Sequence, residues 1–120
     1  MRVQRVSYDS VEQLVRSIPE HRELVKPALN AVYLGIVQDG RLVCCGGLMA
    51  TGFIKSLATA EHCRRRGFAA MVVKALIDSA TCRTIKTIAT RHSRQLFVAA
   101  GFQVGASFPN GNVRMSYRKG

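Results

Sequence analysis

Apolar and polar positions change period several times along these 120 residues, and each change marks an element. Residues 1–9 (MRVQRVSYD) alternate, with Val3 and Val6 out of strict phase, predicting a short first strand. Ser10 stands as the N-cap of a helix whose Val11, Leu14 and Val15 share one face, and Pro19 ends that run near Ile18. A second short helix is predicted over residues 21–30, with Pro27 limiting its regularity. Residues 31–37 read as a buried strand, Asp39-Gly40 as the favoured two-residue hairpin turn, and residues 41–49 as the returning strand. Gly46 and Gly47 within that strand, and Gly52 just after it, interrupt the apolar run, which predicts a bulge or a close approach of backbone.

Residues 53–59 form a further apolar strand, after which the period lengthens. Over residues 67–80, Phe68, Met71, Val72, Ala75 and Leu76 make a helical stripe suited to covering a sheet. Residues 84–89 alternate with β-branched side chains and are predicted beside the 53–59 strand through a right-handed crossover. A helix over residues 91–100 closes on Gly101 at C′. Residues 102–108 and 112–118 then flank Pro109-Asn110-Gly111, an antiparallel hairpin. The order β-α-α-β-β-β-α-β-α-β-β belongs to the α/β (α+β) class, with a mixed central sheet flanked by helices.

Composition fits one domain over residues 1–120: 48% hydrophobic residues fill one core. No stretch has the pattern of a secretory leader or the apolar length of a membrane span, so a soluble, cytoplasmic protein is expected. Cys44, Cys45, Cys63 and Cys82 form no CxxC pair and read as reduced core thiols, with no metal site implied.

Charge changes the picture more. Residues 1–61 hold seven Lys/Arg against six Asp/Glu, whereas residues 62–120 hold eleven against one, so ten of the eleven net positive charges lie in the second half. Two explanations compete: a solubilising surface, and an anionic macromolecule, of which nucleic acid is the economical candidate.

The segment over residues 53–80 runs strand, basic turn, helix. A helix opening after such a turn points its first free N–H groups into the turn, which makes an anion site. Arg64, Arg65 and Arg66 add charge, and Gly67 with small Ala69 and Ala70 lets a phosphate approach the main chain. The plainer alternative is a solvated basic helix start.

Leu57-Ala58-Thr59, four residues, then Arg64-x-x-Gly67-x-Ala69 resembles the Q/R-x-x-G-x-G/A signature of the GNAT N-acetyltransferase superfamily. Ser93-Arg94-Gln95-Leu96-Phe97-Val98-Ala99-Ala100-Gly101-Phe102 is similar to that family's later A-x-x-L-Y-x-x-x-G-F helix. The resemblance covers roughly residues 31–102. It implies a GNAT fold whose two middle strands splay apart around acetyl-CoA. It also implies pantetheine contacts at Leu57, Ala58 and Thr59, and pyrophosphate contacts from Arg64, Arg65 and Arg66 through Gly67, Phe68, Ala69 and Ala70. Thr90 and Phe97 complete the implied cofactor-binding set.

The family's thiolate-protonating tyrosine falls on Phe97, which has no proton to give. Ser93, one turn earlier on the same face, and His92 are the candidate catalytic substitutes, although Ser93 also reads as a small packing residue and His92 as an exposed one. The 53–59 strand carries no Asp or Glu to take the amine's proton. A lysine amine, with pKa about 10.4, is nearly all protonated at neutral pH, whereas an α-amine near 7.7–8 is partly free, so a missing base favours a low-pKa acceptor. Tyr33 and Tyr117 are candidates to line the acceptor cleft, or half-buried packing.

The expected activity is acetyl transfer from acetyl-CoA to an amine, either of a small molecule or linked to a polyanion, with the α-amine of an aminoacyl-tRNA, a peptide N-terminus or a nucleobase amine as candidate acceptors. The alternatives are a phage-type DNA-modifying enzyme of this fold and an inactive nucleic-acid-binding module. Either a monomer or a homodimer paired through the last strands is compatible.

Overall fold

The computed structural model describes residues 2–19, 28 and 30–120. The helix predicted for residues 21–30 therefore lies outside the described residues, Ala28 and Asn30 apart.

Strand β1 (Gln4–Arg5) leads into α1 (Tyr8–Ser17), then β2 (Ala31–Gln38) and β3 (Arg41–Met49). Helix α1 starts three residues earlier than Ser10 as its cap would place it. Ser7 is the cap, its Oγ accepting the Ser10 N–H at 3.2 Å, and Ser10 sits inside the first turn. Asp39 and Gly40 have φ of 53° and 76°, so the β2–β3 hairpin turns through two left-handed residues, the geometry that suits the twist of paired strands.

Next come β4 (Ile54–Thr59), a 3₁₀ turn over Glu61–Cys63, α2 (Phe68–Ser79), β5 (Thr84–Ala89), α3 (Arg94–Ala99), β6 (Gln103–Ser107) and β7 (Val113–Arg118). Helix α3 is shorter than predicted because residues 91–93 form the turn that enters it. The buried stripe of α2 is Phe68, Val72, Val73, Leu76 and Ile77; Met71, expected within it, is 36% exposed.

The strands divide into two antiparallel sheets, ordered β1-β2-β3-β4 and β5-β7-β6. The ladder predicted between residues 53–59 and 84–89 is reduced to one parallel bridge, Phe53 to Lys86, with Lys86 N–H donating to Gly52 O at 2.9 Å. One step on, Thr87 Oγ1 donates to Ile54 O at 3.1 Å, so a side chain stands where a strand partner's amide would. Past that point β5 pairs with β7 over its whole length and leaves β4 alone.

Helix α1 packs on one face of the first sheet, with Val11, Leu14, Val15 and Ile18 against Tyr33, Cys45 and Ala58. Helix α2 covers the opposite face, its Val72, Val73 and Leu76 meeting Ile36, Cys44 and Ile54. The second sheet turns Ile85, Ala89, Val113 and Met115 into that same core. Burying each of these aliphatic side chains contributes roughly 1.5–3 kcal/mol. Gly46 answers to this packing: a Cβ there would lie 2.9 Å from Leu76 Cδ1 and 3.1 Å from Val72 Cγ1. The glycine lets α2 lie close on β3.

Candidate active site

A β-bulge in β4 starts the separation of the sheets. Lys55 faces Gly47 and Ala58 faces Cys45, so two residues of β4, Ser56 and Leu57, stand opposite the single Gly46. An extra residue bends its strand and sharpens its twist. Ser56 takes φ of 58°, the left-handed region that costs a non-glycine residue about 1–2 kcal/mol. Its hydroxyl is the one buried side-chain polar atom without a hydrogen-bond partner among the described residues. Strain and an unpaired hydroxyl on β4 are both costs that packing alone does not explain.

Beyond the bulge, Ala60 N–H donates to Val43 O on β3 at 2.7 Å. The alternation of an antiparallel ladder then turns Ala58 toward β3 and Thr59 toward β5, where no strand meets it. The Thr59 carbonyl accepts from Arg64 Nε at 3.4 Å, which leaves its N–H on an open edge. Across the gap, Thr90 N–H is held by Ser93 Oγ at 3.0 Å, and the two hydroxyls lie 3.2 Å apart. Two backbone edges therefore diverge from Phe53–Lys86 like the arms of a V.

The mouth of α2 lies just after β4. Cys63, fully buried, anchors the 3₁₀ turn, while Arg64, Arg65, Arg66 and Gly67 are exposed. Arg65 and Gly67 adopt left-handed φ of 64° and 80°, which swing the chain into the helix. No side chain caps α2. The first N–H groups of a helix have no internal partner, so those of Phe68, Ala69 and Ala70 point outward with the positive end of the helix dipole. Nothing lies within 4 Å of where a Cβ on Gly67 would stand. Three consecutive cations, uncapped amides and open space beside a left-handed glycine fit a pyrophosphate, and the parted strands fit the arm that continues from one.

The other expected residues fall in varied places. Leu57 packs in the α2-side core and Ala58 in the α1-side core, so each offers the site only main chain. Phe97 is 2% exposed and stacks edge-on against Phe102, centroids 5.1 Å apart. His92 is exposed in the turn before α3, and Ser93 is committed to Thr90. Tyr33 is buried against α1, its hydroxyl accepting the Ala28 N–H at 2.7 Å, which makes it packing. Tyr117 packs on Phe102 and lines a groove of about 410 Å³ between α2 and α3, beside Lys74 and Leu96. That groove lies on the far side of the second sheet from α1.

Burial pushes the Cys44 thiol up to about 11 and the Cys45 thiol up to about 12. Both stay protonated thiols at neutral pH, so neither supplies a thiolate nucleophile. Among the described residues no three His, Cys, Asp or Glu side chains gather as a metal site, and no helix is long and apolar enough to cross a membrane.

Comparison with known proteins gives this geometry its context. Residues 6–102 match the profile of the acetyltransferase (GNAT) family. Among solved structures, the chain is similar to Rv2747 from Mycobacterium tuberculosis in complex with CoA and NLQ, with TM-score 0.78 at 16% identity over 98% of this chain and 99% of that one. It is similar to the IAA acetyltransferase from Bacillus cereus, with TM-score 0.79 at 14% identity over 97% of each chain. It also resembles the ribosomal-protein-S18-alanine N-acetyltransferase from Escherichia coli, with TM-score 0.75 at 10% identity over 97% of this chain and 92% of that one. No curated protein matches.

Proposed function

The chain belongs to the acetyltransferase (GNAT) family, and on that premise we propose that it transfers an acetyl group from acetyl-CoA to an amine held at the open end of the β4–β5 gap. One observation carries this reading: β4 and β5 share a single backbone bridge, at Phe53 and Lys86, and part beside an uncapped, arginine-flanked helix start. Acetyl-CoA, when bound, supplies an activated thioester. The amides of Phe68, Ala69 and Ala70 receive its pyrophosphate, with Arg65 and Arg66 adding charge. The freed edges of β4 and β5 grip the pantetheine arm as a sheet grips an added strand. The Thr59 N–H polarises the thioester carbonyl, and because that donor is fixed before reaction it costs no reorganisation.

Proton handling falls to groups other than a tyrosine on α3 or a carboxylate on β4. Ser93 Oγ and Thr90 Oγ1 form a hydroxyl pair at the end of β5 that can hold a water, and His92 is solvent-facing. With no carboxylate on β4 to act as base, the favoured acceptor is an amine already partly deprotonated at neutral pH, an α-amine or a nucleobase amine rather than a lysine side chain. The basic second half supports an acceptor carried on nucleic acid, such as aminoacyl-tRNA or a DNA base. A second reading, a nucleic-acid-binding module that has lost the reaction, draws on the buried, protonless Phe97.

Thiol release from acetyl-CoA, followed with a dipeptide α-amine, free lysine side chains, aminoacyl-tRNA and duplex DNA as acceptors, tests these readings. The first requires release that is faster with α-amines or nucleic acid than with lysine side chains. No release with any acceptor, despite CoA binding, would favour the inactive module.

A further inference from the structure

The β5–β7–β6 sheet has one buried face and one open one. Ile85, Thr87, Ala89, Val113 and Met115 point into the α2 side. Alternation turns Lys86 and Ile88 of β5, and Arg114, Ser116 and Arg118 of β7, to the other side. That is the side on which α1 covers the first sheet, but α1 packs on β2, β3 and β4 residues and leaves this face bare. Lys86, Ile88, Arg114 and Arg118 are all exposed, Ile88 by 42%.

Register concentrates the charge. Lys86 lies opposite Ser116, which makes Arg114 and Arg118 its two diagonal neighbours, each about 7–8 Å away across the strands. Arg114 also lies over the Phe108 ring, 5.9 Å from its centroid. Among the described residues the acids Asp9, Glu12, Asp39, Glu61 and Asp78 all lie on other elements or loops, and none of them forms an ion pair with Lys86, Arg114 or Arg118. Positive charge on an edge strand guards against aggregation, but β7 is the middle strand of this sheet, and that explanation does not reach Arg114 or Arg118.

Lys86 is itself the residue at which β5 touches β4, so the basic face runs up to the vertex of the proposed acetyl-transfer site. We propose that this open face is the docking surface for a nucleic acid, its phosphodiester backbone lying across Lys86, Arg114 and Arg118 and its acceptor amine directed into the β4–β5 gap. This placement rests on the acyltransfer reading, whereas the binding itself does not. Repeated anionic phosphates match these three cations, with Phe108 available to a base.

The test is fluorescence anisotropy of the full chain with a single-stranded RNA, a duplex DNA of the same sequence and polyglutamate. It compares K86Q/R114Q/R118Q with R2Q/R5Q/R41Q, an equal loss of charge from exposed positions on or beside the first sheet. The first variant is expected to flatten the salt dependence of nucleic-acid affinity by about two to three in log–log slope and to weaken binding at least tenfold, while the second changes neither comparably. Should K86Q/R114Q/R118Q unfold, ultraviolet cross-linking of thiouridine RNA to the unaltered chain, mapped by mass spectrometry, must find β5 and β7 peptides. Equal weakening by both variants, tighter binding of polyglutamate than of either nucleic acid, or cross-links confined to other elements would overturn the proposal. Isothermal titration of CoA on the same samples reports the acyltransfer reading separately.

Discussion

Replacing Gly67 by alanine separates the cost of backbone conformation from the cost of blocking an anion. Gly67 sits at φ of 80° immediately before α2, and an added Cβ meets no protein atom within 4 Å. The fold therefore loses only what the left-handed region charges an L-residue, about 1–2 kcal/mol. Against a typical stability of 5–15 kcal/mol the variant stays folded. For a chain of this length its melting temperature should fall by roughly 4–8 °C. Cofactor binding loses more. The methyl occupies space a phosphate would use, and withdrawing one or two charge-assisted N–H contacts costs roughly 1.5–3 kcal/mol each. The dissociation constant for CoA should rise at least tenfold, and by more if both contacts go. Calorimetric titration of CoA into both proteins, beside thermal melts, measures the two costs independently. A folded Gly67→Ala variant that binds CoA as tightly as the parent would refute the assignment of this turn to the pyrophosphate. Valine is a poorer probe, because a β-branched residue at positive φ strains the fold itself.

Three further outcomes are expected. Ser56→Gly relieves a left-handed φ and removes a buried hydroxyl without a partner, set against the greater chain entropy of glycine, so stability should rise by about 1 kcal/mol in urea unfolding; a loss of that size would show the bulge to be unstrained. Cys44 and Cys45 bind their protons more tightly folded than unfolded, so their contribution is intact below the ordinary thiol value of 9.0 and is lost as pH rises toward about 11 and 12. Stability should therefore decline from about pH 9 upward, and less steeply in Cys45→Ala after allowance for its lower baseline; parallel declines would contradict burial as the cause. Lys119 Nζ donates to the carbonyls of Ile77, Asp78 and Ala80 at the end of α2, at 2.8, 3.2 and 2.7 Å, so Lys119→Met should cost about 1–2 kcal/mol in denaturant melts while leaving CoA affinity unchanged.

Much of this fold is written locally. Asp39-Gly40 dictates its own turn, β5 follows the strict alternation of residues 84–89, and Gly67 and Gly101 take the left-handed φ that only glycine adopts cheaply. Features set by distant partners were less visible. Serine carries no signal for a left-handed residue in a strand, so the bulge at Ser56 could be suspected only from Gly46 opposite it. Ser7 and Ser10 are equally good caps by type, and their mutual hydrogen bonds decide between them. Met71 fits the apolar stripe of α2 by spacing but falls outside the arc the sheet covers. The basic turn of the candidate site was legible because glycine and arginine carry its chemistry directly. The roles of Leu57, Ala58 and Thr59 depend on main-chain groups, which the identity of a side chain does not reveal.

The most direct examination of the central claim is an amide NMR titration of the full chain with acetyl-CoA. If β4, β5 and the start of α2 form one cofactor slot, the largest shifts fall on Thr59, Arg65, Arg66, Phe68, Ala69 and Ala70, with smaller ones at Ile88 and Thr90 and none along β1. Shifts absent from both Thr59 and the α2 amides, or gathered instead around the groove between α2 and α3, would contradict it.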